Sequence, residues 1–140
     1  MSDAPPIRQE TRIEAPPELV RRFLVEPSRI TQWLSNRAEI EPRPGGKVRL
    51  EFARPDGSVD VATGEVLELS AGRLVFTWGF ADNPDLPPGA SRVEISLEPD
   101  GAGTLVRLEH HGLPASQREA HDGGWVHFLG RLREVAGLRP

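Results

Sequence analysis

Histidine side chains are the groups of this chain best suited to acid–base chemistry or metal binding. The chain has four histidines and no cysteine, which excludes disulfides, thiolate metal sites and cysteine nucleophiles. His110 and His111 are neighbours in an alternating segment, so their side chains point to opposite faces of a strand and cannot hold one metal together. His110 shares its face with Val106 and Leu108, and it is therefore predicted to point into the protein.

Three roles stay open for His110. We favour a structural histidine bonded to a backbone carbonyl over a polar anchor for a ligand, and both over a catalytic acid or base. His121 lies four residues before Trp125 on the same helical face, whereas His127 lies off that face. A metal held by His110 and His121 lacks a third ligand of known position, so no metal site is expected.

Glu65 is the carboxylate that could assist such a histidine. It interrupts an apolar strand face whose other members are Val59, Val61, Leu67 and Leu69. Gly64 beside it predicts a β-bulge that resets the alternation and turns Val66 inward. Without the bulge, Glu65 would face the interior, where a carboxylate beside His110 could act as an acid–base pair.

Several other function classes lack their sequence signatures. There is no glycine-rich nucleotide loop, no nucleophile elbow and no recognisable serine triad, so no cofactor is expected. The net charge is −4 and the basic residues are scattered, which argues against nucleic-acid binding. The N-terminus lacks the apolar core of a signal peptide and no apolar run approaches a membrane span, so we expect a cytoplasmic protein without a membrane partner.

The elements that must position these side chains follow from hydrophobic periodicity. The 140 residues suit a single domain over 1–140, with 37% hydrophobic and 27% charged residues. A first strand is predicted over 7–14, and two short helices over 15–27 and 28–34. Further strands are predicted, each with one apolar face, over 47–53, 59–69, 73–80, 91–98 and 103–111.

One long amphipathic helix, over 117 to about 137, is available to cover the apolar face of that sheet. Asp56-Gly57 predicts a hairpin turn between the strands at 47–53 and 59–69. The layout is α+β: a curved antiparallel sheet wrapped around a long C-terminal helix, with two short helices after the first strand. Such packing often leaves a cavity between the two layers.

The order of elements, together with several strings, resembles the START-like (SRPBCC) superfamily, and within it the activator of heat-shock protein 90 ATPase homologue-like group. The strings are EAPPELV, RPGGKVRLEF, GEVLEL, RLVFTW, GTLVRLEHHGL and HDGGWVHFLGRL. The resemblance implies the helix-grip fold. It also matches His110 with the histidine that the family keeps in its last strand.

A ligand held between sheet and helix would meet the inward-facing aromatic residues. The predicted ligand-binding residues are Trp33, Phe52, Phe76, Trp78, Phe80, His110, His121, Trp125, Phe128 and Leu129. Gly123 and Gly124 replace helix-forming residues on the same helix, at a cost of roughly 1 kcal/mol each. We expect them to let the helix pass close to a strand or loop, with space at a cavity mouth as the alternative.

Binding of a small hydrophobic or amphipathic, lipid-like molecule is therefore the favoured function. The resemblance leaves two alternatives open, because its relatives include cyclases and dehydratases acting on aromatic or polyketide-like molecules. One alternative is such an enzyme. The other is a chaperone-linked or stress-linked protein-interaction domain, which ranks lower, and a homodimer formed through an edge strand also stays open.

Overall fold

A single antiparallel sheet of seven strands, in the order β1-β7-β6-β5-β4-β3-β2, forms the body of the protein. The computed structural model describes residues 5–137. Its elements are β1 (Ile7–Ile13), α1 (Pro17–Val25), α2 (Pro27–Ile30), β2 (Arg37–Ile40), β3 (Lys47–Ala53), β4 (Val59–Ser70), β5 (Arg73–Phe80), β6 (Ser91–Asp100), β7 (Gly103–His111) and α3 (Ala115–Ala136). None of the helices within 5–137 combines the length and the hydropathy that a membrane span requires.

The core lies between the concave face of the sheet and α3. Along β3, β5, β6 and β7, alternate residues are buried on that face, as the period of two requires. The helix contributes Trp125, Leu129, Leu132 and Ala136, whose spacing of three or four residues places them on one stripe. This arrangement is the helix-grip fold, so the predicted fold class is confirmed.

Helices α1 and α2 meet at Pro27, and this junction explains the hydrogen bond made by the buried indole of Trp33. In a continuous helix the carbonyl of Phe23 would accept a hydrogen bond from residue 27, but a proline has no N–H to donate. The indole Nε1 of Trp33 donates to that carbonyl instead, at 2.8 Å. Helix α2 ends at Ile30 instead of continuing to residue 34, although Ile30, Trp33 and Leu34 are buried as predicted.

Strand β2 and the start of α3 also differ from the sequence predictions. Strand β2, four residues long, was not predicted, because only Ala38 and Ile40 alternate with charged residues there. It pairs with β3, with Ile40 opposite Val48, and extends the sheet by one edge strand. Helix α3 begins at Ala115, two residues before the predicted start.

Over the first half of β4, the face that is buried in the core is the opposite of the one predicted. Ala62 and Val66 are buried, whereas Val59 and Leu67 are each 47% exposed. A bulge is present, but the register shifts between Val66 and Glu68 rather than beside Gly64. Val66 faces inward as predicted, and Glu65 lies on the exposed outer face.

Candidate functional site

His110 is fully buried and both of its ring nitrogens are bonded within the fold. The indole of Trp125 donates to Nδ1 at 3.0 Å, and Nε2 lies 2.9 Å from the hydroxyl of Ser91. Because an indole N–H can only donate, Nδ1 must be the unprotonated nitrogen and Nε2 carries the hydrogen. Ser91 in turn donates to the carbonyl of Trp78 at 2.7 Å, which completes the chain of bonds.

His121 also accepts a hydrogen bond from an indole N–H, but its ring is in the opposite tautomer. The indole of Trp78 donates to Nε2 at 3.1 Å, and Nδ1 lies 2.8 Å from the carbonyl of Gln117. Nε2 is therefore the acceptor and Nδ1 the protonated nitrogen. The two imidazole rings lie 5.3 Å apart, centroid to centroid, and neither has a free nitrogen for a metal.

The surroundings keep both histidines neutral. Burial lowers the pKa of His110 to about 3, with smaller contributions from His121 and His111. Burial also lowers the pKa of His121, although its bond to the carbonyl of Gln117 acts in the other direction. Protonation of either ring would remove the acceptor of a buried indole, so neither is set up to exchange a proton near neutral pH.

The interior between sheet and helix is almost filled. An inner void, lined by Trp33, Phe76, Trp125 and neighbouring aliphatic residues, leaves about 20 Å³ that the centre of a water molecule can reach. A single water needs roughly 10–15 Å³ of such space and polar partners besides. The cavity expected in the interior is therefore too small for a ligand.

Open space lies instead at one edge of the interface between the sheet and α3, where the helix passes the ends of β3, β4 and β5. We call it the aromatic cleft. It has about 220 Å³ of space, and its apolar wall consists of Phe52, Trp78, Phe80, Trp125 and Phe128. Asp60, Ala120, His121 and Gly124 complete the lining.

A second space, the polar cleft, continues from the aromatic cleft towards the loop after β5. It has about 440 Å³, shares Asp60, Phe80, Ala120 and His121 with the aromatic cleft, and adds Arg54, Asp82, Asn83 and Gln117 among others. Arg54 and Asp60 form an ion pair with an Nε–Oδ2 distance of 2.6 Å. Asn83 donates to the side chain of Gln117 at 3.2 Å. The combined site thus has an aromatic end and a polar end.

Gly123 and Gly124 do not let α3 pass close to a strand or loop, so the expectation of close packing at these two glycines was wrong. A Cβ built on Gly123 would meet nothing within 4 Å. One on Gly124 would meet only the ring of Phe128, at 3.8 Å, which is an ordinary contact. Gly124 lines the aromatic cleft, so the alternative explanation, space at a cavity mouth, fits its position.

The residues predicted to bind a ligand fall into three groups. Those in the aromatic cleft are Phe52, Trp78, Phe80, His121, Trp125 and Phe128. Trp33 and Phe76 line the inner void, which Trp125 separates from the cleft. His110 and Leu129 are buried in the core and line neither space.

Asp60 is the charged residue of the aromatic cleft, and it was not among the predicted ligand-binding residues. It was overlooked because Val59 and Val61 on either side were assigned to the inner face. No sequence signal marked it, because its place opposite Phe52 is set by the register of β3 and β4. A carboxylate directly opposite an inward-facing aromatic residue must share the concave face.

A group of potential metal ligands exists on the other side of the sheet. Within the described residues, Glu94, Glu109 and His111 bring one ligand atom each to within 4.8 Å of the others. Their carboxylates already have cationic partners: Arg73 lies 2.7 Å from Glu94, and Arg8 lies 3.1 Å from Glu109. The arrangement is accounted for by ion pairs on the outer face of the sheet.

Comparison with known proteins places the chain among relatives of the same fold. The family model described as Activator of Hsp90 ATPase homolog 1-like protein matches residues 14–137. An AHSA1-like protein from Rhizobium etli, solved by NMR, is 40% identical with a TM-score of 0.71, over 96% of this chain and 82% of that one. A crystal structure from Chromobacterium violaceum has 27% identity and a TM-score of 0.85, over 96% and 98% of the two chains.

The Aha1 dimer from Colwellia psychrerythraea is a more distant likeness. It is 20% identical, with a TM-score of 0.75 over 95% of this chain and 96% of that one, and so shares the fold alone. No curated protein matches the chain in sequence.

Proposed function

The chain belongs to the family of Activator of Hsp90 ATPase homolog 1-like proteins, and on that premise we propose that it binds a small hydrophobic or amphipathic molecule in the aromatic cleft. The observation that carries this proposal is the cleft itself: five aromatic side chains border open space beside a helix glycine. Small-molecule sites are typically concave, mostly apolar and supplied with a few polar groups. The polar cleft provides such groups next to the apolar wall.

Binding would draw mainly on the burial of apolar surface. The transfer of such surface from water contributes about 25 cal/mol per Å², before the cost of ordering the ligand. The rings need little rearrangement, because Trp78 and Trp125 are already fixed by hydrogen bonds to the two histidines. A preformed wall of this kind keeps the ordering cost of binding small.

The two alternatives from the sequence have less support. An enzyme using His110 with Glu65 would need a free ring nitrogen and an inward carboxylate, whereas His110 is bonded on both nitrogens and Glu65 faces outward. A protein-partner role would need a contiguous apolar patch. The large hydrophobic residues exposed in the described range are Val59, Leu67 and Val126, which lie apart on β4 and α3.

Two substitutions at adjacent helix positions test the proposal. Gly124→Leu would fill the aromatic cleft, while Gly123→Leu places the same side chain where a Cβ meets nothing. Native mass spectrometry of freshly purified protein would identify any co-purified compound, and thermal shift against aromatic and lipid-like compounds would supply ligands. We expect binding to survive in Gly123→Leu and to be lost in Gly124→Leu. Equal binding by both variants, or no binding by the unmodified protein, would overturn the proposal.

A further inference from the structure

The concave face of β4 carries a carboxylate at the point where it borders the aromatic cleft. Asp60 alternates with the buried Ala62 and lies opposite Phe52, so it points to the same side as the core. Its side chain is 39% exposed, and it lines both the aromatic and the polar cleft. A charged group at this junction is within reach of a ligand in either space.

The charge around the two clefts has an excess of acid. Within the described part of the chain, the charged side chains that line them are Arg54, Asp60 and Asp82, one cation against two carboxylates. His121 adds no charge, because its Nε2 accepts the hydrogen bond from Trp78. Arg54 lines the polar cleft but not the aromatic one, and it approaches Asp60 through the Oδ2 atom. Among residues 5–137, the aromatic cleft itself therefore has a carboxylate and no positively charged side chain.

Aromatic rings line the cleft beside Asp60 and contact one another. Phe52 lies edge-on to Trp78, with ring centroids 5.9 Å apart, and Trp78 lies edge-on to Phe80 at 5.7 Å. Phe128 is tilted against Phe52 at 6.0 Å. The π face of an aromatic ring attracts an organic cation, so a ring of this wall whose face borders the cleft would favour a cation beside Asp60.

We propose that the cleft selects a ligand whose apolar body carries a protonated amine or another organic cation. The body packs in the aromatic cleft, and the cation lies between the carboxylate of Asp60 and the ring faces. This inference rests on the proposed function and specifies the class of molecule that the site takes. It predicts discrimination by charge among molecules of the same shape.

Three naphthalene compounds of matched shape test it: naphthalen-1-ylmethylamine, naphthalen-1-ylmethanol and 1-naphthoic acid. Isothermal titration calorimetry at neutral pH would give the affinity of each for the full chain. We expect the amine to bind roughly tenfold more tightly than the alcohol, from its charge-assisted hydrogen bond and the ring faces together. The acid should bind most weakly.

Substitutions assign the selectivity to Asp60. Asp60→Asn should bring the amine down to the affinity of the alcohol while leaving the alcohol unchanged. Asp85→Asn, on the exposed loop after β5 and outside both clefts, removes the same charge as a control and should retain the preference. Arg54→Gln removes the cation that competes for Asp60 and should strengthen amine binding.

The outcomes separate this inference from the proposed function. If the alcohol binds and the amine binds no better, the cleft is a ligand site without selection for a cation, and the inference is wrong. Preference for the acid, lost in Arg54→Gln, would make Arg54 the anchor and would also overturn it. If none of the three compounds binds, both proposals fail.

Discussion

At the residue scale, His110 and Trp125 show how the fold uses polar groups without leaving them available for chemistry. An imidazole and an indole in the core each need a partner, and here they satisfy each other at 3.0 Å. The bond keeps Nδ1 of His110 unprotonated. It also fixes the indole that forms the wall between the inner void and the aromatic cleft.

The pH dependence of stability tests this pairing. An unfolded histidine has a pKa near 6.5, whereas burial lowers the pKa of His110 to about 3 and also lowers that of His121. As the pH falls below 6.5 the unfolded chain therefore binds protons that the folded chain does not. The stabilisation is complete above that pH and should decline by up to about 1.4 kcal/mol per pH unit for each histidine.

Urea unfolding between pH 7 and 5 would measure this decline before most carboxylates begin to titrate. His110→Gln keeps an acceptor for Trp125 and a donor for Ser91 but cannot be protonated in this range, so its slope should be shallower. His127→Gln, at an exposed position on α3, is the control and should keep the original slope. An unchanged slope in His110→Gln would show that His110 is not held neutral by the fold.

At the element scale, α3 contains glycines that its own packing does not require. Gly123→Ala and Gly124→Ala should each raise the free energy of unfolding by about 1 kcal/mol, because alanine favours the helix and its Cβ meets no obstacle. Gly64→Ala in β4 should lower it, since a Cβ there would lie 1.8 Å from the carbonyl oxygen of Thr77. Chemical denaturation of the three variants would compare them. Destabilisation by Gly123→Ala would show a close contact at that position.

The hairpin between β3 and β4 explains why the inner face of β4 was misassigned from sequence. Asp56-Gly57 marks the turn correctly, but a two-residue loop there would place Val61 opposite Phe52. In the structure Arg54 pairs with Ser58, the loop has one more residue, and Gly57 adopts a φ of +91°. Because side chains alternate along a strand, that single residue exchanges the two faces.

At the scale of the whole molecule, the sequence was sufficient to predict the architecture. It was not sufficient to predict the size and location of the open space. Long alternating strands and a helix with Trp125, Leu129 and Leu132 on one stripe indicate a sheet covered by a helix, whatever the details. The size of the interior depends on rotamers of large side chains such as Trp33 and Phe76, which close it to about 20 Å³. The location of the cleft depends on the register of one hairpin, which composition and periodicity do not determine.

The central claim is that a ligand occupies the aromatic cleft rather than the interior, and a titration followed by two-dimensional NMR tests it most directly. Adding naphthalen-1-ylmethanol to uniformly ¹⁵N-labelled protein should shift the amide signals of Ala120 and Gly124, together with the indole signal of Trp78. The amides of Leu50 and Ile95, beside the inner void, should change little. Shifts centred on the inner void, or none at saturating compound, would contradict the account.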